Sequence, residues 1–260
     1  MRDARPKRCR PCRYRGGMVD RTVLVTGGTG GLGSAVTAAF QEAGWRVVVP
    51  ARPTAPDRAP AAAAAEPHTA PATAGVEPVR VVADLTDPGQ VARAVEVAAA
   101  DADAPLRAVV NLVGGYAAGG RIHETPLADF EQMITLNLRP TYLVTQQALP
   151  YLVEAGGGAI VCVSSRAALS PFPGAAGYVT AKAAVLAFAS AVAVEYRESG
   201  IRCNTVVPSV IDTPANRAAQ PTADHSRWVA PAEIARVIRF LASEDSAPTS
   251  GATVPVYGRA

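Results

Sequence analysis

Tyr178 and Lys182 stand four residues apart in the run Tyr178-Val179-Thr180-Ala181-Lys182, and Ser165 lies thirteen residues before the tyrosine, just past the apolar run 159–163. On a helix, positions i and i+4 share a face, so the ammonium can lie beside the phenol. A neighbouring positive charge favours phenolate and lowers a pKa that is about 10 in isolation. A tyrosine tuned in this way can serve as a general acid or base. The same spacing is common on solvated helices, so its meaning depends on what else the chain places around it.

The first third of the chain supplies that context. Thr22-Val23-Leu24-Val25-Thr26 is a short β-branched run, followed by Gly27-Gly28-Thr29-Gly30-Gly31-Leu32-Gly33 and then by the helix-forming stretch 34–40. This order predicts strand, glycine turn and helix. Glycines permit positive φ and close backbone approach, and a helix start offers unpaired N–H groups to an anionic pyrophosphate. Trp45-Arg46-Val47-Val48-Val49 supplies a second strand and completes a βαβ unit.

These residues resemble the short-chain dehydrogenase/reductase family. Thr26-Gly27-x-x-x-Gly31-x-Gly33 looks like that family's cofactor loop, Ser165, Tyr178 and Lys182 match its catalytic spacing, and Asn137 falls where a fourth catalytic residue is expected. The resemblance runs from about Thr22 to Gly258. It implies a single Rossmann-type, doubly wound α/β domain with a mostly parallel seven-stranded sheet and helices on both faces. It also implies that Tyr178 gives a proton to a carbonyl oxygen, that Lys182 assists it and holds the nicotinamide ribose, that Ser165 orients the carbonyl, and that Asn137 holds water. For the cofactor it implies contacts from Thr26, Gly27, Thr29, Gly31, Leu32 and Gly33, from Asp84 and Leu85 past the third strand, and from Asn111 and Gly114. Pro208, Ile211 and Thr213 are expected at the nicotinamide end. Two departures stand out: Leu112-Val113 between Asn111 and Gly114, and Ser209 where glycine usually follows the proline.

The elements that must position these groups are legible in outline. Further strand-like runs lie at 79–83, 108–113, 159–163, 203–207 and 253–257, with helical patterns between them, the strongest at 127–152, broken near Pro140, and at 181–198. Near-continuous hydrophobic strands alternating with helices point to a sheet covered on both sides. With 260 residues and 49% hydrophobic composition, one well-buried domain is expected at 18–260. The stretch 53–78 is rich in Pro and Ala, and Pro53, Pro56, Pro60, Pro67 and Pro71 predict a surface loop where the family places a helix. Asp84 in Asp84-Leu85-Thr86-Asp87-Pro88 suits a turn or helix cap as well as an adenine contact.

The net charge of +3 is unevenly distributed, because residues 1–17 hold seven Lys or Arg against one acid, leaving 18 bases and 21 acids for the rest. A mildly acidic body argues against nucleic acid as a partner. The basic tail 1–17 has no apolar signal core, and disorder is expected there, with Met18 as a candidate start. Cys9 and Cys12 lack a second ligand pair, His123 and His225 have no spaced ligand partner, and no metal site is expected. Cys162 and Cys203 sit in apolar strands as core thiols, which fits the cytoplasm. No uninterrupted apolar stretch of about 18 residues predicts a membrane span.

Cofactor choice turns on the residue after the second strand, where an acid would bind the ribose hydroxyl and repel a 2'-phosphate. The run there is Pro50-Ala51-Arg52, so NADP(H) is favoured over NAD(H), with Arg52 and Arg58 as the available cations. The stretches Asp212–Arg217, 221–228 and 111–116 and the ending 254–258 resemble the dihydropteridine reductase branch of the family, whereas Ser165 favours carbonyl chemistry. The expected substrate is a small carbonyl or alcohol, with a quinonoid pterin as the runner-up and a non-catalytic nucleotide-binding scaffold or sensor as the third reading. By the resemblance, the long helices around Asn137 and Lys182 form contacts between subunits of a homotetramer or homodimer.

Overall fold

A computed structural model describes residues 19–52 and 77–259. The expectations for the tail 1–17, for Cys9 and Cys12, for Met18, for most of the Pro/Ala-rich stretch and for Arg58 fall outside the described residues. Seven strands form one sheet: β1 (Thr22–Thr26), β2 (Arg46–Ala51), β3 (Val79–Val82), β4 (Leu106–Asn111), β5 (Gly158–Val163), β6 (Ile201–Pro208) and β7 (Thr253–Val256). Their spatial order is β3-β2-β1-β4-β5-β6-β7, and each neighbouring pair is parallel. The strand order reverses at β1, whose two neighbours are β2 and β4. In a doubly wound sheet the crevice beyond the carboxyl ends of the strands at such a reversal is where ligands bind.

Strand alternation divides the core in two. Val23, Val25, Val47, Val49, Val110 and Val161 face α1 (Gly31–Glu42) and α7 (Pro231–Ala242), while Leu24, Val48, Val109, Ile160 and Cys203 face the opposite layer. That second layer is built from α2 (Pro88–Ala99), α4 (Arg139–Glu154) and α5 (Ala176–Glu195). Burial on both faces is why the central strands β1, β2, β4, β5 and β6 read as nearly unbroken hydrophobic runs, while the edge strands β3 and β7 alternate between partly buried and exposed residues.

Helix boundaries refine the sequence reading. The pattern at 127–152 resolves into α3 (Leu127–Asn137) and α4, joined at Leu138; Pro140, which lacks an N–H, takes the first turn of the new helix, while Pro150 is carried inside α4. The helix expected at 181–198 starts earlier, at Ala176, and ends at Glu195, so Tyr178 and Lys182 both lie on α5. Trp45 precedes β2, and its ring meets Phe40 edge-on with centroids 5.3 Å apart. Asp87 caps α2 by accepting from the Gln90 N–H at 2.8 Å, with Pro88 in the first turn. By length and composition α5 could cross a bilayer, but the apolar helix of a packed core passes the same test, and Val185, Ala189 and Val192 of α5 are buried against the sheet.

Candidate active site

The proton-transfer residues converge at the carboxyl end of β5. Ser165 follows that strand in an extended conformation and caps a single 3-10 turn, accepting from the Ala167 N–H at 3.2 Å. Its neighbour Ser164 is buried and donates to the Lys182 carbonyl at 2.7 Å, which ties α5 to the strand end. Ser164 thus anchors the helix, and Ser165 remains the serine beside the phenol.

Tyr178 and Lys182 differ from the simple pair that their spacing suggests. The Lys182 ammonium donates to the Val163 carbonyl at 3.1 Å and lies 6.0 Å from the centre of the Tyr178 ring. Burial lowers the lysine pKa to about 8, against a smaller upward pull from Cys162. The Tyr178 phenol is held above its ordinary value, first by burial, with the Ser165 hydroxyl pulling it down and Tyr116 pushing it up. This corrects the expectation that the lysine would depress the phenol: desolvation is the largest influence on Tyr178, and the downward pull comes from the Ser165 hydroxyl.

Asn137, the last residue of α3, is fully buried and bonded to backbone. Its side chain accepts from the Gly115 N–H at 3.2 Å and donates to the Gly115 and Met133 carbonyls, each at 3.0 Å. A Cβ at Gly114 would stand 2.6 Å from Asn137 Oδ1 and 3.0 Å from Lys182 Nζ, so a side chain there would displace the Asn137 amide or the ammonium. Asn111 is buried; its amide donates to Thr145 Oγ1 at 3.1 Å and makes a long contact with Cys162 Sγ, which binds β4 to α4 and leaves Oδ1 unpartnered.

The glycine loop has the form that a pyrophosphate requires. Gly27 adopts φ +68°, and a side chain on Gly33 would overlap the Gly27 carbonyl oxygen. Helix α1 begins at Gly31 with no side-chain cap and no acid in its first turn, which leaves its first N–H groups and its dipole for an anion. Thr29 is exposed, Leu32 is partly buried, and the Thr26 hydroxyl is occupied in linking β1 to β4 through Val110 and Leu112.

At the adenosine side, Asp84 accepts from the Thr86 N–H at 2.9 Å and hydroxyl at 2.8 Å, and these bonds, first the backbone one, lower its pKa. Arg52, exposed at the end of β2, lowers it further through its charge. The Leu85 side chain belongs to the core. On the other flank, Pro208 ends β6, and the Ser209 hydroxyl donates to the Tyr257 carbonyl at 2.8 Å, a link to the chain after β7 that glycine could not make. Ile211 pairs with Val229, and Thr213 caps α6 (Pro214–Ala219) while its methyl packs on Gly31. This segment therefore reaches back to the glycine loop. Among the described residues, no group of three His, Cys, Asp or Glu side chains is placed to hold a metal ion.

The short chain dehydrogenase family model matches residues 21–224. The 2-(R)-hydroxypropyl-CoM dehydrogenase of Xanthobacter autotrophicus is 32% identical over 252 residues, 92% of this chain and 98% of that protein. Acetoacetyl-CoA reductase of Allochromatium vinosum is 31% identical over 92% of this chain and 97% of its own length. Among solved structures, a short-chain dehydrogenase/reductase from Mycobacterium ulcerans superposes with a TM-score of 0.81 at 29% identity, covering 93% of this chain and 90% of that chain. ElxO with NADP bound gives 0.79 at 26% identity, covering 92% and 98%. None of the relatives named here carries a pteridine in its name. With the fold, the glycine loop and the family match in agreement, the chain belongs to the short-chain dehydrogenase/reductase family of oxidoreductases.

Proposed function

We propose that the protein transfers hydride between NADP(H) and the carbonyl or alcohol carbon of a small molecule, with Tyr178 as the general acid and base. The observation that carries this reading is the meeting of Ser165, Tyr178 and Lys182 at one end of the sheet. When bound, the nicotinamide supplies or accepts the hydride. Tyr178 stays protonated through the neutral range because its pKa is raised, so it has a proton to give to a carbonyl oxygen. The Ser165 hydroxyl holds that oxygen in line. Lys182, held by the Val163 carbonyl, places its ammonium for the ribose hydroxyls, and Asn137 fixes the loop that passes over it.

The glycine loop and the uncapped start of α1 fit a dinucleotide pyrophosphate, with Gly27, Gly31 and Gly33 giving backbone approach. Thr29, Leu32, Asp84, Gly114, Pro208, Ile211 and Thr213 flank the same crevice. Preference for NADPH rests on Arg52: it is exposed at the end of β2, no acid stands beside it on that strand, and its charge already acts on Asp84. A 2'-phosphate would meet a cation there. We further propose that the protein works in the cytoplasm, since its described cysteines, Cys162 and Cys203, are free and buried, and that it assembles as a homotetramer or homodimer, since Tyr142 of α4 and Val194 of α5 leave apolar surface exposed.

The test is nicotinamide oxidation against a panel of small ketones, aldehydes and quinones with quinonoid dihydropterin alongside, using each cofactor. Tyr178→Phe is expected to lower kcat by about a hundredfold or more, the range of general acid catalysis. Undiminished turnover in Tyr178→Phe removes the mechanism. A higher kcat/KM with NADH removes the role of Arg52, and turnover of the pterin alone favours pterin reduction.

A further inference from the structure

Tyr116 is 62% exposed, yet its ring is held against Tyr178 with centroids 5.1 Å apart and planes 88° apart, an edge-to-face contact. The segment carrying it is tied down on both sides. Immediately before it, the Asn137 side chain exchanges two hydrogen bonds with the Gly115 backbone. Three residues beyond it, the Gly119 N–H donates to the Gly174 carbonyl at 2.8 Å, just ahead of α5. Gly174 has φ +81°, and any side chain there would overlap the Gly119 oxygen, so the clasp depends on glycine. An exposed aromatic ring on a loop has little burial to hold it in place. Here the backbone on either side fixes where the ring must stand.

We propose that Tyr116 is a positioning residue for the proton donor: its ring, braced through Gly115 and Gly119, sets the orientation of the Tyr178 phenol. The inference rests on Tyr178 being that donor. Three groups face the phenol: Ser165 from the end of β5, Lys182 from its own helix, and Tyr116 from the loop after β4. Burial and Tyr116 both oppose phenolate, while Ser165 favours it. Loss of the Tyr116 hydroxyl and loss of its ring should therefore have separable effects. Tyr116→Phe keeps the edge contact and removes only the polar tip, whereas Tyr116→Ala removes the contact and opens the Tyr178 ring to water.

The experiment compares Tyr116→Phe and Tyr116→Ala in the full chain by steady-state kinetics and by ultraviolet titration of the Tyr178 phenol without cofactor. Each titration is read as the difference from the same variant carrying Tyr178→Phe. Tyr116→Phe is expected to keep kcat within about twofold, because it preserves the ring pair. Tyr116→Ala is expected to lose about tenfold in kcat with KM for NADPH unchanged, and to titrate Tyr178 at lower pH than wild type. Unchanged kcat and an unchanged Tyr178 titration in Tyr116→Ala overturn the proposal. So does a rise in substrate KM alone, which would make Tyr116 a substrate contact. Activity surviving in Tyr178→Phe would instead overturn the donor assignment, and the cofactor-free titration would still report whether the two rings are coupled.

Discussion

The fold moves the protonation of Lys182 into the working range. Burial brings its pKa from 10.5 to about 8, so the ammonium is present below that pH and lost above it. If that charge holds the ribose and supports the phenol, kcat/KM for carbonyl reduction should fall along a limb near pH 8, about tenfold per unit beyond it. The same shift acts on stability with the opposite sign. Between about 8 and 10.5 the unfolded lysine still holds its proton while the folded one has lost it, so this group's contribution to stability rises with pH. Activity and stability should thus diverge across that window. Measuring both for wild type and Lys182→Met checks it: a stability difference between the two that is flat from pH 8 to 10.5 would mean that the buried ammonium is not shifted. The spacing alone suggested a lysine that depresses its tyrosine. It could not show that Nζ is held by the Val163 carbonyl while the phenol is desolvated, because both facts depend on how α5 docks on β5.

The loop and helix that hold the cofactor make an element-scale prediction. Gly33 lies in the first turn of α1, and a methyl there would overlap the Gly27 carbonyl and crowd the Gly28 Cα, both backbone atoms. Gly33→Ala must then push α1 away from the loop, at about 1–3 kcal/mol for an overpacked site. Gly30→Ala is the matched control, since its nearest neighbour would be 3.4 Å away and its φ is −81°. Urea unfolding should separate the two, with a lower midpoint for Gly33→Ala only. Nucleotide titration should show weakened binding in the same variant. The loop was readable in sequence because close backbone approach demands glycine at fixed offsets. The break between α3 and α4 was readable because proline favours a first turn, as Pro140 does, although α4 also carries Pro150 in its interior. The start of α5 was not: Ala175-Ala176-Gly177 is small and apolar throughout and carries no periodic signal. Nor was the Asn137–Gly115 clasp, which joins positions 22 residues apart that only the packing of α3 on the β4 loop brings together.

At the scale of the molecule, the outer side of the α4 and α5 layer keeps apolar surface that the monomer leaves uncovered. Tyr142 on α4 is 46% exposed, and its ring meets that of the partly buried Phe188 on α5 with centroids 5.8 Å apart. Val153 near the end of α4 and Val194 near the end of α5 are exposed as well. A helix that is apolar around most of its circumference needs a partner on each side, and α5, though packed on the sheet and against α3, leaves Val194 exposed and Phe188 only partly buried. A second copy presenting the same pair of helices would bury Tyr142 and Phe188 symmetrically. Light scattering is therefore expected to give a dimer or tetramer for the wild type, with a melting temperature that rises with protein concentration. Tyr142→Glu places a charge in that contact and should shift the species toward monomer. Its glycine loop and Tyr178 site are untouched, so nucleotide binding should persist. A wild-type monomer at micromolar concentration, or an unchanged assembly in Tyr142→Glu, would show that this face is not where the copies meet.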